Sequence, residues 1–185
     1  SLPSTIQIQQ SLSAKNDLLL ADPIQIHQLL MNLCTNAGHA MKESGGILEI
    51  KLQNRHLSDA DVQDNPLLKN GDYICLSVRD TGCGIPESNM EHIFEPYFTT
   101  KAPSEGTGLG LAVVHGIVRK YSGDIRVTSE VGKGTSVTIY LPALAREPES
   151  KTETASAIPR GTEHILFVDD EAALVKTSKI ILERL

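Results

Sequence analysis

Tryptophan is absent from this chain, and aromatic residues make up only 4% of it. A core drawn from its 40% of hydrophobic residues therefore has to be aliphatic, built from Leu, Ile, Val and Ala. Cysteine is scarce too: Cys34, Cys75 and Cys83 are odd in number, and no two form a C-x-x-C pair. That argues against a disulfide framework or a zinc site and points to a reducing, cytoplasmic compartment. No apolar run approaches the roughly 18 residues that a membrane-spanning helix needs, and no signal peptide opens the chain. No membrane contact is expected of this stretch. The sequence opens in mid-pattern at Ser1-Leu2-Pro3 without an initiator Met, so it reads as part of a longer protein, and any membrane anchor would lie elsewhere in that parent. Basic residues are outnumbered, 17 Lys and Arg against 23 Asp and Glu, for a net charge of -6. Broad nucleic-acid binding needs a basic footprint and is not expected. A phosphate ligand remains open, since backbone N–H groups hold phosphates without side-chain charge.

What is present suffices for one well-buried domain and a piece of another, at 185 residues. Thr5 to Gln9 alternates apolar and polar residues, as a half-buried strand does. Leu18-Leu19-Leu20 predicts a second strand. Asp22-Pro23 reads as a helix start, with Asp as N-cap and Pro in the first helical position. Ile24, Leu29, Leu30, Leu33, Ala37 and Met41 follow at mainly helical spacing until Gly45-Gly46 stops them. Strand patterns return at residues 47–52 and 73–78, with a polar loop predicted over residues 55–70. A short helix is predicted over 88–94, irregular chain over 96–105, and a helix over 109–121. Residues 125–128 and 136–141 predict a final hairpin around Gly132-Lys133-Gly134. Residues 143–160, rich in Glu, Lys, Ser, Thr and Pro, predict a flexible linker. Beyond it, Ile165 to Val168 predicts a strand that ends in Asp169-Asp170 and leads into a helix.

Three constellations carry chemistry. Asn32 and Asn36 stand four apart, so both amides share one face of the first long helix. Asn is a poor mid-helix residue, and an amide oxygen is a hard, neutral ligand suited to Mg²⁺. His39 projects from the same region toward where a phosphate would lie. An exposed polar face without a role explains these residues equally well, and for His39 alone it is the simpler reading. Asp80-Thr81-Gly82-Cys83-Gly84 ends a strand in an acceptor-only carboxylate, followed by two glycines that let a ligand approach closely. A surface turn is the alternative. Gly106-Thr107-Gly108-Leu109-Gly110-Leu111 opens a helix, where successive backbone N–H groups make an anion site. It is not a dinucleotide fingerprint, because neither Leu111 nor Val113 is Gly. The chain has no P-loop either, because Gly132-Lys133 is followed by Gly134. A flexible loop and helix cap is the alternative.

Taken together over residues 4–142, these motifs resemble the histidine-kinase branch of the superfamily that also holds gyrase, mismatch-repair and chaperone ATPases. Residues 32–37 resemble the family's N box and residues 80–86 its G1 box. Residues 93–101 (Ile93 to Lys101) resemble the F box and the start of an ATP lid, and residues 106–111 the G2 box. Gly134-Thr135 resembles the Gly-Thr beside the adenine. The resemblance implies a two-layer α/β sandwich of the Bergerat type, with a mixed, mostly antiparallel sheet covered by helices on one face. It implies Mg-ATP between the helices that start near Asp22 and Leu109. Asn36 is then the metal-binding amide with Asn32 beside it near the phosphates, and Asp80 the acceptor of the adenine amino hydrogen. Gly82, Gly84, Gly106, Gly108 and Gly110 shape the pocket and lid, Thr107 and Leu109 lie within the lid's glycine run, Thr135 supports Asp80, and Lys101 contacts phosphate. Many histidine kinases carry Lys or Arg where His39 stands, and a neutral His is the weaker phosphate contact.

One departure helps choose the branch. Hydrolysing members hold a water-orienting Glu four residues before the metal-binding Asn, and here that position is Asn32. The implied activity is transfer of the γ-phosphoryl to a histidine on an upstream dimerisation domain, in two-component signal transduction by a homodimeric parent. An ATP-hydrolysing clamp or chaperone is the alternative, and a degenerate ATP-binding scaffold a third reading. None of the six histidines sits in the family's acceptor context, so the chain alone is not expected to autophosphorylate. Residues 161–185 resemble the first strand and helix of a response-regulator receiver domain, a partner that would take the phosphoryl group in a hybrid kinase.

Overall fold

A computed structural model describes residues 3–63, 68–100 and 106–145. Lys101, most of the predicted linker and the receiver-like tail fall outside the described residues. Five strands form one sheet in the order β1-β2-β3-β5-β4. They are β1 (Ile6–Leu12), β2 (Gly46–Leu57), β3 (Gly71–Asp80), β4 (Asp124–Glu130) and β5 (Gly134–Pro142). Only β1 and β2 run parallel; the other three neighbouring pairs are antiparallel. A parallel pair requires a crossover, and α1 (Pro23–Ala40) supplies it. The sheet is therefore mixed and mostly antiparallel, with α1 and α4 (Gly110–Lys120) on one face.

Local chemistry explains where α1 begins. The Asp22 carboxylate accepts the Ile24 N–H at 2.9 Å, and Pro23 occupies the first turn, where a missing N–H does no harm. The helix then lays Leu29, Leu33 and Ala37 on the sheet, and α4 lays Val114, Ile117 and Val118 beside them. Alternation along the strands brings Leu48, Val78, Val137 and Ile139 up to meet these side chains. The core is aliphatic throughout this layer. The opposite sheet face carries a smaller cluster around Leu57, Tyr73, Cys75 and Tyr140. The two helices are pinned at one end by Gln25, whose Oε1 accepts from the Tyr121 hydroxyl at 2.7 Å and from Lys120 Nζ at 3.1 Å.

Three expectations needed correction. Leu18-Leu19-Leu20 forms no strand. Residues 13–16 instead fasten to β2: the Ser13 and Ala14 N–H groups donate to Leu52 O, and those of Lys15 and Asn16 to Asn54 Oδ1. Only Leu19 packs on the core, while Leu18 and Leu20 are exposed. The polar stretch after residue 52 is not all loop. β2 continues to Leu57 because the backbone of residues Gln53 to His56 stays paired with β3, and Ser58 then caps a one-turn helix, α2 (Asp59–Val62), through Asp61. The helix predicted over 88–94 stops early, as α3 (Glu87–Met90), and continues as turns. Among the described residues no helix is long and apolar enough to cross a membrane. The three cysteines are free.

Leu29 is fully buried, whereas Ile24 on the same helix is 75% exposed. Leu29→Ala should therefore lose about 2–5 kcal/mol of stability, while Ile24→Ala stays within about 0.5 kcal/mol of the parent. Urea denaturation should show the first as a lower midpoint at unchanged slope; equal midpoints would contradict this packing.

Candidate functional site

The last residue of β3 is a carboxylate taken out of water. Asp80 is 6% exposed, and its Oδ1 accepts two backbone N–H groups, from Gly82 at 2.8 Å and from Thr135 at 3.3 Å. Both bonds use the same oxygen, so Oδ2 takes no part in them. Burial raises the Asp80 pKa above the usual carboxylate range, and the two N–H donors only partly oppose it. Gly134 makes this arrangement possible: its φ is +105°, and a Cβ there would overlap the Asp80 carbonyl oxygen.

The loop after Asp80 is tied on both sides. The Cys83 N–H donates to Ala40 O at the end of α1, at 3.1 Å, and the Gly132 N–H donates to Cys83 O at 2.9 Å. Gly82 lies so close to Ala40 that a Cβ would stand 2.5 Å from its carbonyl oxygen, and a Cβ at Gly84 would overlap Glu130 O. Ser129 completes the clamp. Its hydroxyl accepts the Ile85 N–H at 2.8 Å, donates to Gly134 O at 3.0 Å and lies 2.9 Å from Thr135 Oγ1.

The two amides and the glycine run meet across the helices. A Cβ at Gly110 would stand 3.4 Å from Asn36 Nδ2, 3.7 Å from Asn32 Oδ1 and 3.8 Å from Asn36 Oδ1. The first turn of α4, with backbone N–H groups that have no partner within the helix, is thus placed beside the amide pair. Asn32 and Asn36 are partly buried; His39, one turn further along α1 on the same side, is exposed. Thr107 accepts the Leu109 N–H through Oγ1 at 3.4 Å and shapes the entry to α4. Gly106 and Leu109 are partly buried at that entry.

A contact that sequence reasoning missed joins the two flanks of the predicted lid. The Tyr97 N–H donates to Gly108 O at 3.0 Å, with Tyr97 at φ +70° and Gly108 at φ +66°. Tyr97 is unusual in adopting this conformation without being Gly, and no local sequence signal announces it. Ser129 was missed as well. Its signal is positional: it pairs in register with Thr135, so it becomes legible only once the hairpin is placed. Asn32, Asn36 and Gly110 are brought together between α1 and α4, and Asp80, Gly82, Gly84 and Thr135 lie together beside the end of α1.

Residues 21–145 match the family described as histidine kinase-, DNA gyrase B- and HSP90-like ATPase. The chain is 42% identical over 164 residues to the sensor kinase CckA of Brucella abortus (strain 2308), covering 83% of this chain and 17% of CckA. It is 39% identical over 138 residues to the sensor histidine kinase ZraS of Escherichia coli (strain K12), covering 74% of this chain and 26% of ZraS. Among solved structures, the catalytic domain of histidine kinase ThkA superposes with a TM-score of 0.56 at 28% identity, over 75% of this chain and 79% of that one. Full-length ShkA, in complex with AMPPNP, does so with a TM-score of 0.55 at 25% identity, over 75% of this chain and 26% of that one. The chain thus spans about a sixth to a quarter of the curated relatives' length. With its mixed sheet, one-sided helices and ordered boxes, the chain belongs to the histidine kinase-, DNA gyrase B- and HSP90-like ATPase family, as a catalytic domain of the sensor histidine kinase kind.

Proposed function

We propose that this domain binds Mg-ATP and hands its γ-phosphoryl group to a histidine on a dimerisation domain elsewhere in the parent protein. The observation that carries the reading is the approach of Gly110 to Asn32 and Asn36, which sets a helix N-terminus beside two neutral amide oxygens. Phosphates suit the helix N-terminus. Mg²⁺ suits hard oxygen donors and is held largely by substrate phosphates and water, so a pair of amides without a carboxylate fits it; when bound, the ion neutralises phosphate charge. The absence of a Cβ at Gly110 keeps that space open.

Each group has a distinct task in this reading. Asn36 holds the metal, with Asn32 beside it. Asp80 Oδ2 accepts the adenine amino hydrogen while Gly82 and Thr135 steady Oδ1, and Gly84 lets the loop turn. Gly106, Thr107, Gly108 and Leu109 lead the chain into α4 over the phosphates, and His39 and Lys101 supply contacts to them. Phosphoryl transfer needs in-line positioning and charge neutralisation more than covalent help from the protein. Asn32 carries no charge with which to orient a water, so transfer to a protein side chain is favoured over hydrolysis. The structural relative in complex with AMPPNP supports a nucleotide in this fold. The receiver-like tail and a homodimeric parent belong to the same proposal, in which the phosphoryl group passes from the histidine to a receiver aspartate. A reducing, cytoplasmic setting fits the free thiols.

Asp80→Asn should weaken Mg-ATP binding by about 10- to 100-fold in calorimetry, because the amide offers a poorer acceptor and an unwanted donor; unchanged affinity would refute the role. Because burial raises the Asp80 pKa, affinity in the parent should fall as pH drops through that raised value, at a higher pH than an ordinary carboxylate would give. The Asn variant should lack this component. Incubated with ATP, the chain should label an added cognate dimerisation domain on histidine and turn over ATP weakly alone. Rapid steady-state hydrolysis would favour the clamp or chaperone reading.

A further inference from the structure

One side chain on α4 is engaged by two different groups that the assigned site does not use. His115 is half-buried and flanks the sheet-facing row of Val114, Ile117 and Val118. Its ring stacks on Phe94 of the F box, with centroids 5.0 Å apart and planes 28° apart. Its Nε2 lies 3.2 Å from Arg119 Nε, one turn on, and accepts that N–H. An imidazole that accepts through Nε2 is neutral and carries its proton on Nδ1.

Arg119 is itself held from the far side. Its Nη1 sits 3.7 Å from Oδ1 of Asp124, a carboxylate only 5% exposed at the start of β4. The other Asp124 oxygen lies 3.6 Å from Arg126 Nε. Arg119 Nη1 is buried and makes no hydrogen bond, so the guanidinium is located by charge and by its bond to His115. The contacts therefore run without a gap from the buried end of β4 to the F box. Three residues past Phe94, Tyr97 binds Gly108 at the entry to the same helix.

We propose that His115, as a neutral imidazole, is the positioning residue that fixes the F box against α4 and so sets the geometry of the lid root over the nucleotide phosphates. The inference rests on the nucleotide reading of the site. The ring contact of His115 goes to Phe94 and its hydrogen bond to Arg119, so it acts on the site through Phe94. Two charges act on the ring: Arg119 on its own helix disfavours protonation, and Asp124 of β4 favours it. The F box presents the uncharged Phe94 ring. Burial, joined by Arg119, holds the His115 pKa below the usual histidine range. The ring stays neutral at pH 7, and protonation in acid requires the Arg119 bond to break.

The test compares AMPPNP, which has phosphates, with adenosine, which has none, on the 185-residue chain with Mg²⁺. His115→Ala should weaken AMPPNP binding by about tenfold or more and leave adenosine within about twofold, since only the phosphate end depends on the F box. His115→Phe keeps the stack and should hold AMPPNP within about threefold at pH 7; in acid it should lose the part of the parent's decline that His115 protonation causes and keep the part that comes from Asp80. Parent-like AMPPNP binding by His115→Ala overturns the proposal, and so does equal loss of both ligands, which marks a merely structural role. If the parent binds neither ligand, the nucleotide reading has failed and not this one. Amide exchange without ligand then decides: faster exchange at Glu95 and Tyr97 in His115→Ala, with β2 and β3 unchanged, supports the positioning role, and unchanged exchange overturns it.

Discussion

A carboxylate removed from water must be given donors, and much of this domain's architecture follows from supplying them to Asp80. The donors are backbone N–H groups from two separate segments, one just after β3 and one at the start of β5. Bringing β5 close enough leaves no room for a side chain at Gly134, and folding the loop back under the hairpin leaves none at Gly84. Ser129 then links that loop to the same hairpin turn. Even so, burial outweighs these donors in setting the acidity of Asp80. On the proposed reading the ligand supplies a further donor to this group.

The parts of the fold that were legible in the sequence are those whose cause is local. Asp22-Pro23 announced α1 because the cap and the first turn are set by neighbours in the chain. The apolar spacing of α1 and α4 follows from their packing on one sheet face. Asn32 and Asn36 were legible as a pair because helical geometry alone puts them on one side. What remained hidden depends on partners far along the chain. Leu18 to Leu20 looks like a strand, yet residues 13–16 before it find their acceptors on β2. β2 continues through a polar stretch because β3 pairs with it, which composition does not reveal. Tyr97 adopts a left-handed conformation to reach Gly108, and nothing in its neighbours requires that.

The same framework serves several chemistries in this family, which illustrates how far function resides in a few positions of a shared fold. On the proposed reading the decisive position is Asn32. A carboxylate there would add negative charge beside phosphates and could polarise a water; an amide does neither. The sheet, the cap of α1 and the Asp80 network are indifferent to that exchange. Phe94, His115, Arg119 and Asp124 form a series of contacts: a stacked ring, a neutral nitrogen acceptor and an ion pair to a buried carboxylate.

The bond between Thr135 and Asp80 spans 55 residues of chain. No local segment can therefore build the acceptor site before β5 has joined the sheet. A partly assembled chain, even one with β1 to β3 in register, lacks a donor to Oδ1 and the backbone that shields the carboxylate. Any ligand selected by that carboxylate is selected by the finished sheet alone, so its binding free energy acts on the whole folding equilibrium. Because the pairing is also long in sequence, closing it belongs to the slow, entropically demanding part of folding. During assembly the domain is thus blind to its ligand until topology is complete, and thereafter ligand concentration becomes a variable of its stability.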